Sequence, residues 1–338
     1  MSAAVSPCFA SRTRRPDPAV AVRHDWRVGE VVALHERPLF ELLDRAREVH
    51  RRAHPGGRVE LCSLVSVKTG GCPEDCGYCA QSARFSGGAP PPRVLELGEV
   101  LAAARSAREL GATRLCLSAA WRAAADGGGF ERVLQMVQAV KALGLETCCT
   151  LGMLTEEQAR RLKQVGLDAY NHNLDSSRDY HARIVTTHSY ADRLATLRAV
   201  RAAGIQICSG GIIGMGESVR DRAAMLVELA GFDPHPESIP INALVPIPGT
   251  PLATAPPVRP VELVRLIATA RIVLPRSRIR LAAGRAGLAR EAQLMCLYAG
   301  ANSLFLGERL LTTPNADPGE DLAMLAEAGI DAKLLEQD

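Results

Sequence analysis

The stretch Cys72-Pro73-Glu74-Asp75-Cys76-Gly77-Tyr78-Cys79 places three cysteines within eight residues, with the spacing C-x3-C-x2-C. Thiolates are soft ligands that suit zinc and iron–sulfur clusters. A closed structural zinc site needs four protein ligands, and a [4Fe-4S] cluster also has four irons to be bound. Three thiolates would leave one iron open to a small molecule, which indicates chemistry rather than a structural role. The alternatives are a zinc site completed by a distant Cys or His, and three unrelated cysteines.

This stretch follows the first of eight apolar runs that have the length of strands. The runs cover residues 61–67, 113–119, 146–151, 169–174, 206–212, 238–245, 278–282 and 302–306. Helical patterns separate them, and residues 28–50 form a further helical region before the first run. Eight β-then-α units predict an α/β fold, a (βα)8 TIM-type barrel with an N-terminal helical extension. An open parallel sheet is the alternative, although it would need fewer strands.

The predicted barrel also places the cysteine stretch. In (βα)8 barrels the active site lies at the carboxyl ends of the strands. Residues 72–79 come directly after the first predicted strand, so they belong to a loop at that end of the barrel. The location agrees with the chemistry that the three cysteines indicate.

Length and composition restrict the class of protein. The chain has 338 residues, which is normal for one α/β barrel. A net charge of +3 and an aromatic content of 4% argue against a nucleic-acid surface. No apolar run approaches the roughly 20 residues of a membrane helix. Ten cysteines without a secretory signal indicate metal ligands or buried thiols in a reducing compartment.

Three segments are expected along the chain. Residues 1–22 contain three prolines and three arginines without helical periodicity, which predicts a disordered extension. Residues 23–330 form the barrel domain, and residues 331–338 are a tail. We expect a cytoplasmic protein. An Arg-rich, acid-poor start also fits a mitochondrial transit peptide, but the prolines interrupt the amphipathic helix that such a peptide needs.

With Tyr78 directly before its last cysteine, the three-cysteine stretch resembles the signature of the radical S-adenosylmethionine (SAM) superfamily. The wider stretch 66–76, Ser-Val-Lys-Thr-Gly-Gly-Cys-Pro-Glu-Asp-Cys, resembles the biotin synthase family, and the resemblance extends over about residues 23–329. It implies that Cys72, Cys76 and Cys79 hold a [4Fe-4S] cluster, with SAM on the open iron and Tyr78 near SAM. It also implies that the reduced cluster cleaves SAM to methionine and a 5′-deoxyadenosyl radical.

A second set of cysteines lies in the predicted strands. Cys116, Cys148 and Cys208 fall in the second, third and fifth strands. Side chains alternate along a strand, so Cys148 and Cys149 cannot both face the barrel interior, and spacing alone does not choose between them. A lone strand cysteine is usually a small buried hydrophobe. The joint match to the biotin synthase pattern implies that Cys116, Cys148, Cys208 and Arg280 bind a [2Fe-2S] cluster, with Cys149 facing the helices.

Cys62 departs from the family pattern, which usually has a hydroxyl residue at this position in the first strand. Its parity with Leu64 and Ser66 is compatible with an inward side chain near Arg280. It is either a competing ligand or an isosteric thiol, and we expect the latter. Cys8 and Cys296 have no expected role.

Polar residues at the strand ends are the candidates for binding SAM and substrate. By resemblance, Asn173 and Asp175 contact the substrate and the SAM ribose, and Arg193 pairs with the SAM carboxylate. Asn242 would bind the ureido ring of the substrate, since an amide offers both a donor and an acceptor. A carboxylate is a strong acceptor for ribose hydroxyls, although Asp175 could also simply cap the next helix.

The resemblance implies conversion of dethiobiotin to biotin by insertion of sulfur between two unactivated carbons. Such C–H bonds resist acid–base chemistry, so cofactors must carry the reaction. A flavodoxin or ferredoxin reductant and a homodimer are further implications, with no nucleic-acid or membrane partner expected. Two alternatives are another radical SAM enzyme, of the methylornithine or hydrogenase-maturation type, and a non-catalytic iron–sulfur carrier or sensor.

Overall fold

A computed structural model describes residues 20–85, 92–307 and 309–330. Two helices, α1 (Val28–His35) and α2 (Leu39–Ala53), precede the first strand, as the periodicity of residues 28–50 predicts. The second is strongly amphipathic, and Leu42, Leu43 and Ala46 form its buried face. The predicted disordered extension lies outside the described residues except for residues 20–22, as does the tail at 331–338.

The strands and helices then alternate along the chain. The strands are β1 (Glu60–Thr69), β2 (Arg93–Val94), β3 (Arg114–Ala119), β4 (Glu146–Thr150), β5 (Ala169–Asn171), β6 (Gln206–Cys208), β7 (Gly211–Ile213), β8 (Ser238–Ala243), β9 (Arg278–Leu281), β10 (Ser303–Leu306), β11 (Arg309–Leu310) and β12 (Thr313–Pro314). The helices are α3 (Leu97–Glu109), α4 (Gly128–Lys141), α5 (Glu156–Gln164), α6 (Arg178–His181), α7 (Tyr190–Ala202), α8 (Val219–Ala230), α9 (Pro260–Val273), α10 (Arg290–Tyr298) and α11 (Pro318–Glu327).

Eight strand positions close into a parallel barrel. The order is β1, β3, β4, β5, β6 with β7, β8, β9 and β10, and β10 pairs back with β1. Each neighbouring pair is parallel, while the short β2 runs antiparallel to the end of β1. The predicted TIM-type (βα)8 barrel is therefore confirmed, and an open sheet is excluded by the pairing of β10 with β1.

The fifth strand position is interrupted, which the sequence did not predict. The single apolar run at 206–212 forms β6 and β7, separated by Ser209 and Gly210. A Cβ on Gly210 would lie 1.9 Å from the Pro240 carbonyl oxygen, so only glycine permits this approach to β8. The break brings the loop after β6 close to Asn242, at the mouth of the barrel.

Besides a small apolar cluster of Ile184, Met215 and Leu244, two larger ones fill the part of the molecule that the structure describes. The larger of the two lies between the strands and the helices, and it includes Leu117, Ile207 and Leu281. The smaller of the two lies inside the barrel and contains the inward cysteines with Ala169 and Phe305. Among the described residues, no helix is long and apolar enough to cross a membrane.

Candidate active site

A cavity of about 340 Å³ lies at the carboxyl ends of the barrel strands. Its wall brings together nearly all the side chains that the sequence singled out. These are Cys72, Cys76, Tyr78, Cys79, Cys116, Asn173, Asp175, Arg193, Cys208, Asn242 and Arg280. Cys148 is fully buried directly behind this wall, inside the barrel. One cavity therefore connects the loop cysteines with the strand cysteines.

The cysteine loop is fastened to the segment between α6 and α7. The Asp75 carboxylate accepts hydrogen bonds from the backbone amides of Thr186 (2.9 Å) and Thr187 (3.2 Å). The Gly77 amide donates to the Ile184 carbonyl at 2.8 Å. These contacts leave the three thiols half-buried and facing the cavity. Burial raises the pKa of each thiol, to about 11 for Cys79, so binding of a metal would have to release protons.

Asp175 is the centre of a buried polar group beside the loop. Tyr78 Oη donates to Asp175 Oδ2 at 2.6 Å, and Arg193 Nη2 lies 2.8 Å from the same oxygen. Burial and the Asp175 charge raise the pKa of Tyr78, so its hydroxyl remains a donor. Both contacts use Oδ2, and Asp175 lines the cavity, so Oδ1 is the oxygen left to accept from a ligand there.

Arg193 is held from three sides. Its Nη1 donates to the Asn173 carbonyl at 2.5 Å, and its Nε donates to His188 Nε2 at 3.0 Å. His188 Nδ1 lies 2.8 Å from the Glu74 carboxylate, which belongs to the cysteine loop. Burial opposes the charge of Arg193, but Asp175, Tyr78 and Cys76 together outweigh it and raise the pKa of the guanidinium, which remains a cation.

The asparagines line the opposite part of the cavity. Asn242 Nδ2 donates to the Gly211 carbonyl at 3.1 Å, and its Oδ1 accepts from the Ala283 amide at 3.1 Å. Asn173 Oδ1 accepts from the Gly210 amide at 3.2 Å and from Asn171 Nδ2 at 3.1 Å. Both predicted amides therefore lie in the cavity wall, and each already joins backbone groups of neighbouring segments.

The strand cysteines converge inside the barrel. Cys116 on β3 is in register with Cys148 on β4, and Cys208 ends β6. With Cys62 they form one buried cluster. A hydrogen bond from the Cys148 thiol lowers the pKa of Cys208, and the Arg280 charge acts in the same direction against the effect of burial. Cys149 belongs to the outer cluster beneath the helices, as strand alternation requires.

Arg280 faces this inner cluster from β9. Its Nη1 lies 3.7 Å from Cys208 Sγ, and its Nη2 lies 3.1 Å from Cys62 Sγ. Cys62 is thus inward and beside Arg280, as its parity allowed. Burial opposes ionisation of Glu60, the residue behind Arg280. The charges of Arg114, Arg280 and Arg278, together with the hydrogen bond from Ser303, outweigh burial and hold the pKa of Glu60 well below its usual range.

The donor set matches clusters better than a single ion. Among the described residues, no group of three Cys, His, Asp or Glu side chains is arranged so that it could hold a single metal ion. Ligands of a multinuclear cluster bind different irons, so they need not converge on one point. Thiols dominate both groups, which is the donor chemistry that iron–sulfur clusters use.

Comparison with known proteins identifies the family. A family model of the Radical SAM superfamily matches residues 66–229, and one of the Biotin and Thiamin Synthesis associated domain matches residues 240–331. The biotin synthase of Sorangium cellulosum (strain So ce56) is 64% identical over 93% of this chain and 90% of that protein. The chain belongs to the biotin synthase family. The biotin synthase of Methylobacterium sp. (strain 4-46) is 57% identical, over 94% of this chain and 96% of the relative.

Solved structures outside the biotin synthase family share the fold. Methylornithine synthase (PylB) superposes with a TM-score of 0.75 at 18% identity, covering 90% of this chain and 93% of that chain. HydG, a maturase of the [FeFe]-hydrogenase, gives 0.77 at 19% identity, covering 90% and 71%. At these identities the likeness concerns the barrel alone. The two enzyme types weighed as alternatives are therefore similar in architecture, while the biotin synthases share most of the sequence.

Several members of the site were not singled out from the sequence. Glu74 lies within the cysteine stretch, but its partner His188 is 114 residues away, so spacing gives no sign of the contact. Asn171 has the same strand parity as Asn173, and this signal could have found it; it donates to Cys208 Sγ at 3.3 Å. His172 also lines the cavity and is buried, and burial and the Arg193 charge hold its pKa well below the usual value.

Proposed function

We propose that the chain is a biotin synthase, an enzyme that inserts sulfur into dethiobiotin to give biotin. The relatives named biotin synthase match over more than nine-tenths of the chain. The geometric observation that carries the proposal is a single cavity reached by two sets of cysteines. One set lies in a mouth loop and the other lies inside the barrel. Such a cavity can hold a substrate between two clusters.

The loop thiols fit a [4Fe-4S] cluster. We infer that Cys72, Cys76 and Cys79 would hold it, since all three line the cavity and no fourth thiol of the described residues belongs to the same loop. When bound, the cluster and SAM supply the radical chemistry that opens an unactivated C–H bond. The chain's own part is to hold the loop firmly, which the bonds from Thr186 and Thr187 to Asp75 support.

SAM would lie between the loop and the ends of β5 and α7. The free Oδ1 of Asp175 is an acceptor for ribose hydroxyls, and the Arg193 guanidinium is a cation for the SAM carboxylate. Tyr78 remains a neutral donor beside them. The contacts of Arg193 with His188 and Asn173 fix its orientation before the ligand arrives, which reduces the entropy lost on binding.

The inner thiols fit a [2Fe-2S] cluster. We infer that Cys116, Cys148, Cys208 and Arg280 would hold it, and that when bound it would supply the sulfide needed for insertion of sulfur into the substrate. All four side chains are at least 96% buried, so the protein excludes water from the place where sulfur is transferred.

Dethiobiotin would fill the space between the two clusters. Asn242 and Asn173 lie in the wall there, and amides can pair with both the N–H and the C=O groups of a cyclic urea. Because Asn242 already joins Gly211 to Ala283, its orientation is fixed in the absence of substrate.

The reductant, the assembly and the location are part of the same proposal. A flavodoxin or ferredoxin reductant and a homodimer are supported by the family resemblance alone. A cytoplasmic location is supported by the ten cysteines, which fit a reducing compartment.

The decisive experiment is anaerobic reconstitution with iron and sulfide, followed by assay of biotin formed from dethiobiotin with SAM and a reductant. Iron and sulfide are counted per chain in the same sample. Biotin formation with both clusters present supports the proposal. Cleavage of SAM without biotin would indicate a different radical SAM enzyme, and the absence of SAM cleavage would indicate an iron–sulfur carrier.

A further inference from the structure

Glu60, the first residue of β1, lies buried beneath the inner cysteine cluster. Its Oε2 accepts from Arg280 Nη2 at 3.0 Å and from Ser303 Oγ at 2.9 Å, and the Cys62 thiol donates to the same oxygen at 3.4 Å. Its Oε1 accepts from Arg278 Nη1 at 2.9 Å. One carboxylate therefore joins four side chains at the closed end of the barrel.

These contacts fix the direction of the Arg280 guanidinium. Nη2 is held by Glu60, and Nε donates to Ser303 Oγ at 2.9 Å. The planar group stacks on the Phe305 ring, 4.9 Å from its centroid. Nη2 also lies 3.1 Å from Cys62 Sγ, and Nη1 is left pointing to the thiols assigned to the cluster, 3.7 Å from Cys208 Sγ. A free arginine side chain has many rotamers, so this arrangement removes most of them before any cluster is bound.

The charges beneath the cluster are also set by Glu60. Three arginines, Arg114, Arg278 and Arg280, face two carboxylates, Glu60 and Glu146, which leaves one net positive charge. Glu60 touches all three cations, whereas Glu146 touches only Arg114 and Arg278. An iron-bound Arg280 would have to be the neutral guanidine, because a guanidinium has no lone pair to donate, so this surplus applies before the cluster binds. Charge near a cluster tunes its potential, and the carboxylate of Glu60 would still act on the bound cluster.

We propose that Glu60 is a positioning residue for the inner cluster: it holds Arg280 so that Nη1 faces the Cys208 sulfur, and it sets the charge beneath the thiols. This rests on the proposed function, because it concerns the [2Fe-2S] cluster assigned there. Outer-shell groups of this kind commonly change metal affinity by about 10–100-fold when they are removed.

The test compares Glu60→Gln with Glu146→Gln in the full-length, reconstituted protein. Both variants replace a carboxylate by an isosteric amide, and both remove an anionic partner of Arg114 and Arg278, but only the first removes the anionic partner of Arg280. We expect Glu60→Gln to lose the inner cluster to a chelator about tenfold faster than the unmodified chain. Its [2Fe-2S] cluster should also have a shifted reduction potential, while the [4Fe-4S] cluster is unchanged in both variants. Glu146→Gln should behave as the unmodified chain.

Two outcomes would overturn the inference. Equal effects of the two substitutions would mean that Glu60 contributes only to the general stability of the barrel. No effect of either substitution would mean that Glu60 neither positions Arg280 nor changes the charge at the cluster. If Glu60→Gln does not fold, Ser303→Ala removes the hold on Nε without removing a charge, and an unchanged rate of cluster loss in that variant is equally contradictory. An unmodified chain that takes up only one cluster contradicts the proposed function itself, and this inference with it.

Discussion

At the residue scale, the backbone of Asp175 shows how the site is arranged. Asp175 has a φ of 65°, a left-handed conformation that is uncommon outside glycine. Its amide donates to the Gly210 carbonyl, and its carbonyl accepts from Ile212, so the break between β6 and β7 holds it in place. Such conformations persist where surrounding contacts enforce them and are frequent at ligand sites. The carboxylate consequently points to Tyr78 and Arg193.

Replacement of Cys76 by alanine should abolish SAM cleavage and leave the barrel folded. The thiol lies in a mouth loop outside all three apolar clusters of the described residues, so its loss opens no core. The measurement is the amount of 5′-deoxyadenosine formed, with circular dichroism as the check on folding. Cys296→Ala is the control, because Cys296 lies on the buried face of α10 and does not line the cavity. Deoxyadenosine formation that persists in Cys76→Ala would contradict the radical SAM proposal.

Asn242→Ala should weaken binding of dethiobiotin more than binding of SAM, because the amide is assigned to the urea ring. A lost hydrogen bond between neutral groups costs about 0.5–1.5 kcal/mol, and more when a buried partner is left without a bond. The variant also loses the bonds to Gly211 and Ala283, so its thermal stability is measured beside both dissociation constants. Equal weakening of the two ligands, or none for either, would show that the residue is wrongly assigned.

At the element scale, much of the barrel follows from the sequence because its signals are local. Seven apolar runs and the helices between them match strands and helices of the structure, since periodicity reports which face of an element is buried. The sequence patterns did not predict the break at Ser209 and Gly210, because it depends on the approach of Pro240 from β8. For the same reason the sequence did not predict two contacts that join distant segments. These are the hydrogen bond between His188 and Glu74 and the contact of Glu60 with Arg280.

Strand alternation leads to a prediction about three cysteines. The inner cluster should depend on Cys208 far more than on Cys149 or Cys62. Cys208 faces the interior beside Cys148, whereas Cys149 lies beneath the helices. Cys62 faces the interior too, but it lies beside Arg280 and its thiol donates a hydrogen bond to Glu60. Removing a thiolate ligand leaves an iron exposed and the cluster labile. Cys208→Ser should therefore lose the inner cluster and all biotin formation, yet still cleave SAM.

The three serine variants are reconstituted under the same anaerobic conditions, and their iron contents and visible spectra are compared. Cys149→Ser and Cys62→Ser serve as controls that should keep both clusters. Loss of the cluster in Cys62→Ser would mean that this chain uses a ligand set different from that of its family. The assignment of Arg280 would then be the first to be withdrawn, because Cys62 Sγ lies only 3.1 Å from it.

At the scale of the whole molecule, folding and cluster binding occupy different parts of the structure. The large cluster of apolar side chains lies between strands and helices and contains no thiol assigned to iron. The barrel is closed by backbone pairing of β10 with β1, which needs no metal. Small zinc domains differ, because they have no comparable core and unfold without metal.

Removal of both clusters should therefore leave the barrel folded. After anaerobic chelation we expect the far-UV circular dichroism spectrum to be retained, together with one cooperative thermal transition. The midpoint should lie below that of the loaded protein, because any group that binds only the folded chain stabilises it. Apo-Glu60→Gln is an informative companion, since it leaves Arg114, Arg278 and Arg280 without their shared carboxylate and should melt lower than the apo-chain. A chain that loses its helical signal as iron is withdrawn would show that the clusters, and not the outer core, hold the barrel together.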